Sequence, residues 1–247
     1  MRLDKLLSVT ATATRSEAAK AVRAGAVTVN GVPARRADAQ VDPERDAVVY
    51  CGAPVVYKPF RYVLLNKPDG YVSATEDGRD LTVLELLPPL YTALGLFPCG
   101  RLDKHTLGLM LLTNDGDLSH RLLSPRRHVP KRYRFRCKFP LSNEDRARFC
   151  EGLVLENGYE TKPADIALDE GRLSGEITLT EGKYHQIKRM METLHNQITY
   201  LERVSFGPLT LPEDLPRGAW RELTKEEEAA LRAAAEENTA PRKETRT

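Results

Sequence analysis

Short strand-like and helix-like segments follow one another in this chain without the regular strand–helix–strand rhythm of a parallel, doubly wound sheet. That irregular mixture points to the α+β class more firmly than any composition does. With 247 residues there is material for one or two domains. No run of about 18 apolar residues is present, which argues against a membrane-spanning helix. The opening Met1-Arg2-Leu3-Asp4-Lys5 lacks the apolar core of a secretory signal, so a cytoplasmic location is expected.

A first domain is expected over residues 1–52. Leu3, Leu6 and Leu7 stand at helical spacing within Arg2–Val9. Thr14-Arg15-Ser16-Glu17 is a capping box that starts a second helix, and Gly25 suits its C-terminal stop. Val27-Thr28-Val29 reads as a strand, and Asn30-Gly31 tolerates the positive φ angles of a tight hairpin. Ala47–Cys51 reads as another strand. Residues 51–60, with Gly52, Pro54 and Pro59, read as a linker.

A second domain is expected over residues 60–236. Tyr62–Leu65 and Leu109–Thr113 are apolar strands, and Arg132–Phe139 alternates as a half-buried strand does. Leu173–Thr180 is a further strand. Helices are expected at Thr82–Leu87, from an Asp117 cap through Leu123 to a stop at Pro125, and at Ser142–Cys150, Gln186–Leu194 and Leu223–Ala235. The last of these opens on a second capping box at Thr224–Glu227. Residues 237–247 are polar without periodicity and are expected to form a disordered tail.

The net charge of +2 hides an uneven distribution. Residues 1–36 hold seven Lys/Arg against two Asp/Glu, and residues 101–136 hold nine against three. Residues 141–181 reverse this, with four Lys/Arg against ten Asp/Glu. Such blocks suit a molecule with one side turned to a polyanion. Cys51, Cys99, Cys137 and Cys150 form no C-x-x-C pair, and no His stands at zinc-finger spacing from them, so they read as reduced thiols. His105, His120 and His128 form no ligand pair on a helix. Asn114-Asp115-Gly116-Asp117 lacks the length and downstream Glu of a calcium loop, so no metal is expected.

The segment Gly100-Arg101-Leu102-Asp103-Lys104-His105-Thr106-Leu107-Gly108-Leu109 is the most informative local constellation. An Asp alone reads as a turn or cap residue. An Arg two residues before the Asp, then Thr-x-Gly and an apolar run, changes that reading. The segment resembles the active-site loop of pseudouridine synthases. The flanking sequence, from Met1 to about Thr224, resembles the RsuA family of ribosomal RNA pseudouridine synthases. Arg-Leu-Asp-Lys at the start and Val-x-Val-Asn-Gly after the second helix resemble an S4 RNA-binding domain: two helices and a hairpin carrying Arg2, Lys5, Arg15, Lys20, Arg23, Arg35 and Arg36 as phosphate contacts.

The resemblance implies a fold with a small S4-like domain and a larger domain built on a mixed or antiparallel sheet. It implies an isomerase that converts one uridine of ribosomal RNA, of the 16S small-subunit type, to pseudouridine. Asp103 would be the nucleophile, at base or at sugar, after the base is flipped from its stack. A neighbouring cation keeps such a carboxylate ionised. The motif Glu181-Gly182-Lys183-Tyr184-His185-Gln186-Ile187-Lys188-Arg189-Met190 implies that Lys188 pairs with Asp103. Arg189 is its rival, since successive helical residues point about 100° apart. Tyr133, in Lys131-Arg132-Tyr133, would pack beneath the target base. Arg101 would enter the RNA helix in place of that base, and His185 would contact RNA or cap its helix. Leu65-Asn66-Lys67-Pro68-x-Gly70 matches a loop that shapes the site, with Lys67 and Arg189 counted among the RNA contacts. The reaction has no redox or group-transfer step, so no cofactor is expected. The expected partners are ribosomal RNA or a small-subunit assembly intermediate, with no membrane, and the enzyme is expected to be a monomer. The alternatives are a large-subunit (23S) enzyme, a non-catalytic assembly factor, and a hydrolase releasing free uracil. The last lacks a second carboxylate fixed by motif.

Overall fold

The computed structural model describes residues 1–124 and 129–237. Pro125 and His128 lie outside the described residues, as does the expected tail from residue 238 onward. The chain forms two compact units: Met1–Arg61 with Leu84–Phe97, and Tyr62–Val83 with Pro98–Thr247.

In the first unit α1 (Leu3–Val9) and α2 (Arg15–Arg23) precede β1 (Val27–Val29), β2 (Val32–Pro33), β3 (Val48–Tyr50) and β4 (Ala53–Pro54). The capping box forms as expected: Thr14 accepts from the Glu17 amide while the Glu17 carboxylate accepts from the Thr14 amide. Asn30 and Gly31 both take positive φ, 52° and 79°, and turn β1 into β2. The linker expected at 51–60 is partly strand. Cys51 and Gly52, also at positive φ, turn β3 back into β4, so the four strands run in the order β2-β1-β3-β4. Leu3, Leu6, Leu7, Ala18, Val22, Val27, Val41 and Val48 form this unit's own core. The returning segment 84–97 contributes α3 (Pro89–Thr92) and leads into β6 (Phe97–Pro98). The helix expected at Thr82–Leu87 is one short 3-10 turn, Val83–Leu86.

The second unit is built on β5 (Tyr62–Lys67), β7 (Leu107–Thr113), β8 (Lys131–Cys137), β9 (Asp165–Leu168), β10 (Ser174–Leu179), β11 (Ile198–Phe206), β12 (Leu209–Thr210) and β13 (Trp220–Glu222). Its helices are α4 (Gly116–Leu123), α5 (Asn143–Glu151), α6 (Gln186–Thr193) and α7 (Lys225–Glu237). The strands run in the order β13-β5-β7-β11-β8-β10-β9, with β12 hairpinned onto β11. The β7–β11 pair is parallel and its flanking pairs are antiparallel, so the sheet is mixed. Leu64, Leu109, Leu111 and Phe206 pack on one side against Leu118 and Leu122 of α4 and Leu231 and Ala235 of α7. The α4 cap is Asp115, which accepts from the Leu118 amide; Asp117, expected in that role, sits in the first turn and pairs with Arg121. No helix among the described residues is long and apolar enough to cross a membrane.

Strand β11, which the sequence pattern does not announce, lies between β7 and β8 in the sheet. It meets β7 at a point that admits only glycine. Gly108 has φ +96°, and a Cβ there would collide with the backbone oxygen of Arg203. Backbone cannot swing aside as a side chain can. Gly108→Ala should therefore cost about 3 kcal/mol, from overpacking plus an unfavourable φ. In a chain of this size that lowers the melting temperature by roughly 10 °C. A shift under about 2 °C would show that the two strands can separate freely.

A candidate active site around Asp103

The loop between β6 and β7 carries Asp103, and backbone carbonyls and amides fix its course. Ser73 Oγ donates to the Leu102 carbonyl at 2.8 Å and accepts from the Leu102 amide at 3.0 Å. The Thr106 amide donates to the Asp103 carbonyl at 3.0 Å. Lys67, at the end of β5, is fully buried, and its ammonium donates to the carbonyls of Pro68, Lys104 and Thr106 at 3.1, 3.0 and 2.9 Å. This corrects the expectation that Lys67 contacts RNA. Its charge is spent inside the protein, holding the turn just after Asp103, and burial pushes its pKa down to about 8.

On the opposite wall α6 supplies the cation. Lys188 Nζ stands 2.8 Å from Asp103 Oδ2, although the two residues are 85 apart in sequence. Of the two rivals, Lys188 meets the carboxylate, and Arg189 does not line the cavity. The start of α6 is fixed by Glu181, a buried carboxylate that accepts from the Tyr159 hydroxyl at 2.6 Å, the Lys162 amide at 3.0 Å and the Gln186 side-chain amide. Gln186 in turn accepts from the Lys183 amide at 3.0 Å. His185 occupies the position before α6 in a left-handed conformation, φ 50°, and its side chain caps nothing. Its Nε2 lies 3.5 Å from Asp103 Oδ1 instead.

Asp103 and Lys188 open on a cavity of about 520 Å³ whose lining includes Arg101, Tyr133, Lys131, Glu181, Tyr184 and Arg203. Tyr133 lies on β8 between Ile177 of β10 and Arg203 of β11. The alternation of β8 turns Lys131, Tyr133, Phe135 and Cys137 inward and Arg132, Arg134 and Arg136 outward. Arg101 is exposed at the cavity. The residues brought together are thus Asp103, Lys188, Tyr133 and Arg101. In the first unit Arg2, Lys5, Arg15, Lys20, Arg23, Arg35 and Arg36 are all exposed. Two of them are partly neutralised, Arg2 by Asp4 at 2.6 Å and Arg36 by Asp38 at 2.7 Å.

Two buried cations of the cavity wall carry no sequence signal of their role. The Arg203 guanidinium donates to the Leu109 carbonyl at 2.7 Å and lies over the Phe206 ring. Lys131 is also buried, and burial, then the Arg203 charge, pushes its pKa down to about 8. Between about pH 8 and the ordinary lysine value near 10.4, the unfolded chain binds a proton that folded Lys131 has released. The cost of burying this cation is therefore full below pH 8 and is relieved as pH rises. From pH 7.5 to 9.5 this should restore on the order of 1 kcal/mol of stability. Denaturant unfolding at the two pH values should show that gain in the wild type and a smaller one in Lys131→Met. Equal gains would mean that Lys131 is not the source.

Known proteins share this arrangement of sequence and fold. Residues 61–193, more than half of the chain, match the family model for RNA pseudouridylate synthase. The chain belongs to that family. The synthase also matches the S4 domain model over residues 1–46. It is 47% identical over 230 residues to the "Uncharacterized RNA pseudouridine synthase YtzG" of Bacillus subtilis, covering 92% of this chain and 96% of that protein. It is 39% identical over 233 residues to the "Ribosomal small subunit pseudouridine synthase A" of Escherichia coli strain K12, covering 94% of this chain and all of that one, 100%. A solved structure described as a pseudouridylate synthase superposes with a TM-score of 0.65 at 35% identity, covering 94% of this chain and 99% of that one. The synthase is thus an isomerase with an S4 RNA-binding domain.

Proposed function

We propose that this enzyme converts a uridine of small-subunit ribosomal RNA to pseudouridine, with Asp103 as the nucleophile. The observation that carries the reading is the Asp103 carboxylate held at 2.8 Å by Lys188 on the wall of a cavity that Tyr133 also lines. The reaction breaks the N1–C1′ bond, turns the uracil and joins C5 to C1′; the C5 proton is then lost and N1 regains one. Attack at the sugar and attack at the base both need an ionised carboxylate within reach, and the Lys188 charge favours that form.

The glycosidic bond of a stacked uridine is enclosed, so the base must leave its stack to reach Asp103. Arg101, exposed at the cavity, then fills the vacated space. Tyr133 supplies an aromatic surface for the base. The exposed cations from Arg2 to Arg36 hold phosphates without reading sequence, in a docking domain over residues 1–52, with catalysis over 60–236. The enzyme acts as a cytoplasmic monomer on rRNA or on an assembling small subunit. The relatives named for the small ribosomal subunit support that choice of RNA.

The test is incubation of the enzyme with small-subunit RNA, with partly assembled small-subunit particles and with large-subunit RNA, followed by mapping of pseudouridine. A single new site in the small-subunit RNA, free or in particles, is expected. Modification confined to large-subunit RNA would overturn the choice of substrate.

A further inference from the structure

Tyr184 is the most exposed large apolar side chain among the described residues, at 75%. It is not a lone surface ring. It stacks on His185 with centroids 3.9 Å apart and planes 15° from parallel, and both residues line the cavity of Asp103. The stack rests on an uncommon backbone. His185 takes a left-handed conformation, which costs a residue with a side chain on the order of 1 kcal/mol or more and persists where its surroundings demand it. That conformation places one imidazole both against the Tyr184 ring and 3.5 Å from the Asp103 carboxylate. One face of Tyr184 is covered by His185 and the other meets solvent.

Flipping a uridine creates a need that matches this surface. When the base leaves its stack, the bases on its 5′ and 3′ sides both lose a neighbour, and a side chain entering the gap, as Arg101 does in this reading, covers their flat faces only in part. Lys188 and His185 already engage Asp103, and the outer face of Tyr184 is a flat surface open beside them. We propose that Tyr184, braced by His185, is a stacking platform for the nucleotide next to the flipped uridine. The platform rests on the enzyme acting on a flipped uridine in RNA, and it adds a second base-binding subsite to that site. Because every base presents a π face, the subsite contributes affinity and holds the substrate strand in place without demanding one sequence. The Tyr184 ring stacks on His185, while Asp103 is met by His185, Lys188 and Thr106, so Tyr184 is a binding residue in this proposal.

The test uses a single-stranded RNA heptamer with a central uridine and 2-aminopurine placed on its 5′ or its 3′ side. The fluorescence of that base falls when it stacks. Wild type and Tyr184→Phe are expected to quench one of the two probes. Tyr184→Ala is expected to quench neither and to bind on the order of tenfold more weakly. On ribosomal RNA, Tyr184→Ala should raise KM by a similar factor and leave kcat within about twofold. Equal quenching by wild type and Tyr184→Ala overturns the proposal, as does a wild type that quenches neither probe. A fall in kcat at unchanged KM also overturns it, because the ring would then act through His185 on Asp103. The heptamer assay needs no turnover, so a wrong choice of ribosomal RNA, revealed by mapping, leaves its result for Tyr184 intact.

Discussion

Asp103→Asn is expected to leave the synthase folded and bound to RNA while slowing isomerisation at least about ten-thousandfold. The amide has the shape of the carboxylate but neither its charge nor its nucleophilicity. Little of the fold depends on that charge. The loop is held chiefly through the Leu102, Lys104 and Thr106 carbonyls, by Ser73 and Lys67, and the Asp103 side chain adds only a long 3.5 Å hydrogen bond accepted from the Thr106 hydroxyl. Lys188 would lose its partner, but it is 26% exposed and can turn to water, so stability should change by no more than about 1 kcal/mol. Melting temperature and filter binding to RNA check the first half of this expectation, and quantified pseudouridine checks the second. A variant that keeps more than about a tenth of the rate removes Asp103 from the chemistry.

Lys188→Met should also slow the reaction severely. Methionine fills a similar space and removes the cation, so Asp103 faces the substrate without its counter-charge. Loss of one such electrostatic partner at a reacting group typically costs about 100- to 1000-fold in kcat. Arg189 offers no substitute, since it points about 100° away around the helix. Lys188→Arg should retain more activity than Lys188→Met, because it restores the charge with a different geometry. Single-turnover rates at saturating enzyme separate these outcomes from weakened RNA binding. A Lys188→Met enzyme within about threefold of wild type would mean that the 2.8 Å pair is structural.

What the sequence made legible was local. The capping boxes at Thr14 and Thr224 and the Asn30-Gly31 turn form where the residues indicated, because each is satisfied within a few residues of itself. Asp103, Tyr133 and Lys188 could be picked out through motifs that resemble a family, yet nothing local says that residues 85 apart meet. The central strand β11 was opaque for a related reason. Its Ile198-Thr199-Tyr200-Leu201-Glu202-Arg203 run places two charges together, which reads as surface. Both are buried, and their charge-matching or long-range partners lie elsewhere in the sequence: Arg217 for Glu202, which also accepts from the nearby Tyr200 hydroxyl, and the Leu109 carbonyl for Arg203. Lys67 misled in the same way. A lysine before a proline in a loop motif looks solvated until the fold brings three carbonyls to its ammonium. Gly52 and Pro54 read as linker because turn residues do not reveal whether strands flank them.

Whether the Asp103 carboxylate, poised by Lys188, drives the isomerisation can be read from the release of tritium from C5 of labelled uridine in small-subunit RNA under single-turnover conditions. Stoichiometric release is expected from the wild type, slow release from Lys188→Met and none above background from Asp103→Asn, with all three binding the RNA alike. Release by Asp103→Asn at the wild-type rate would contradict a nucleophilic Asp103.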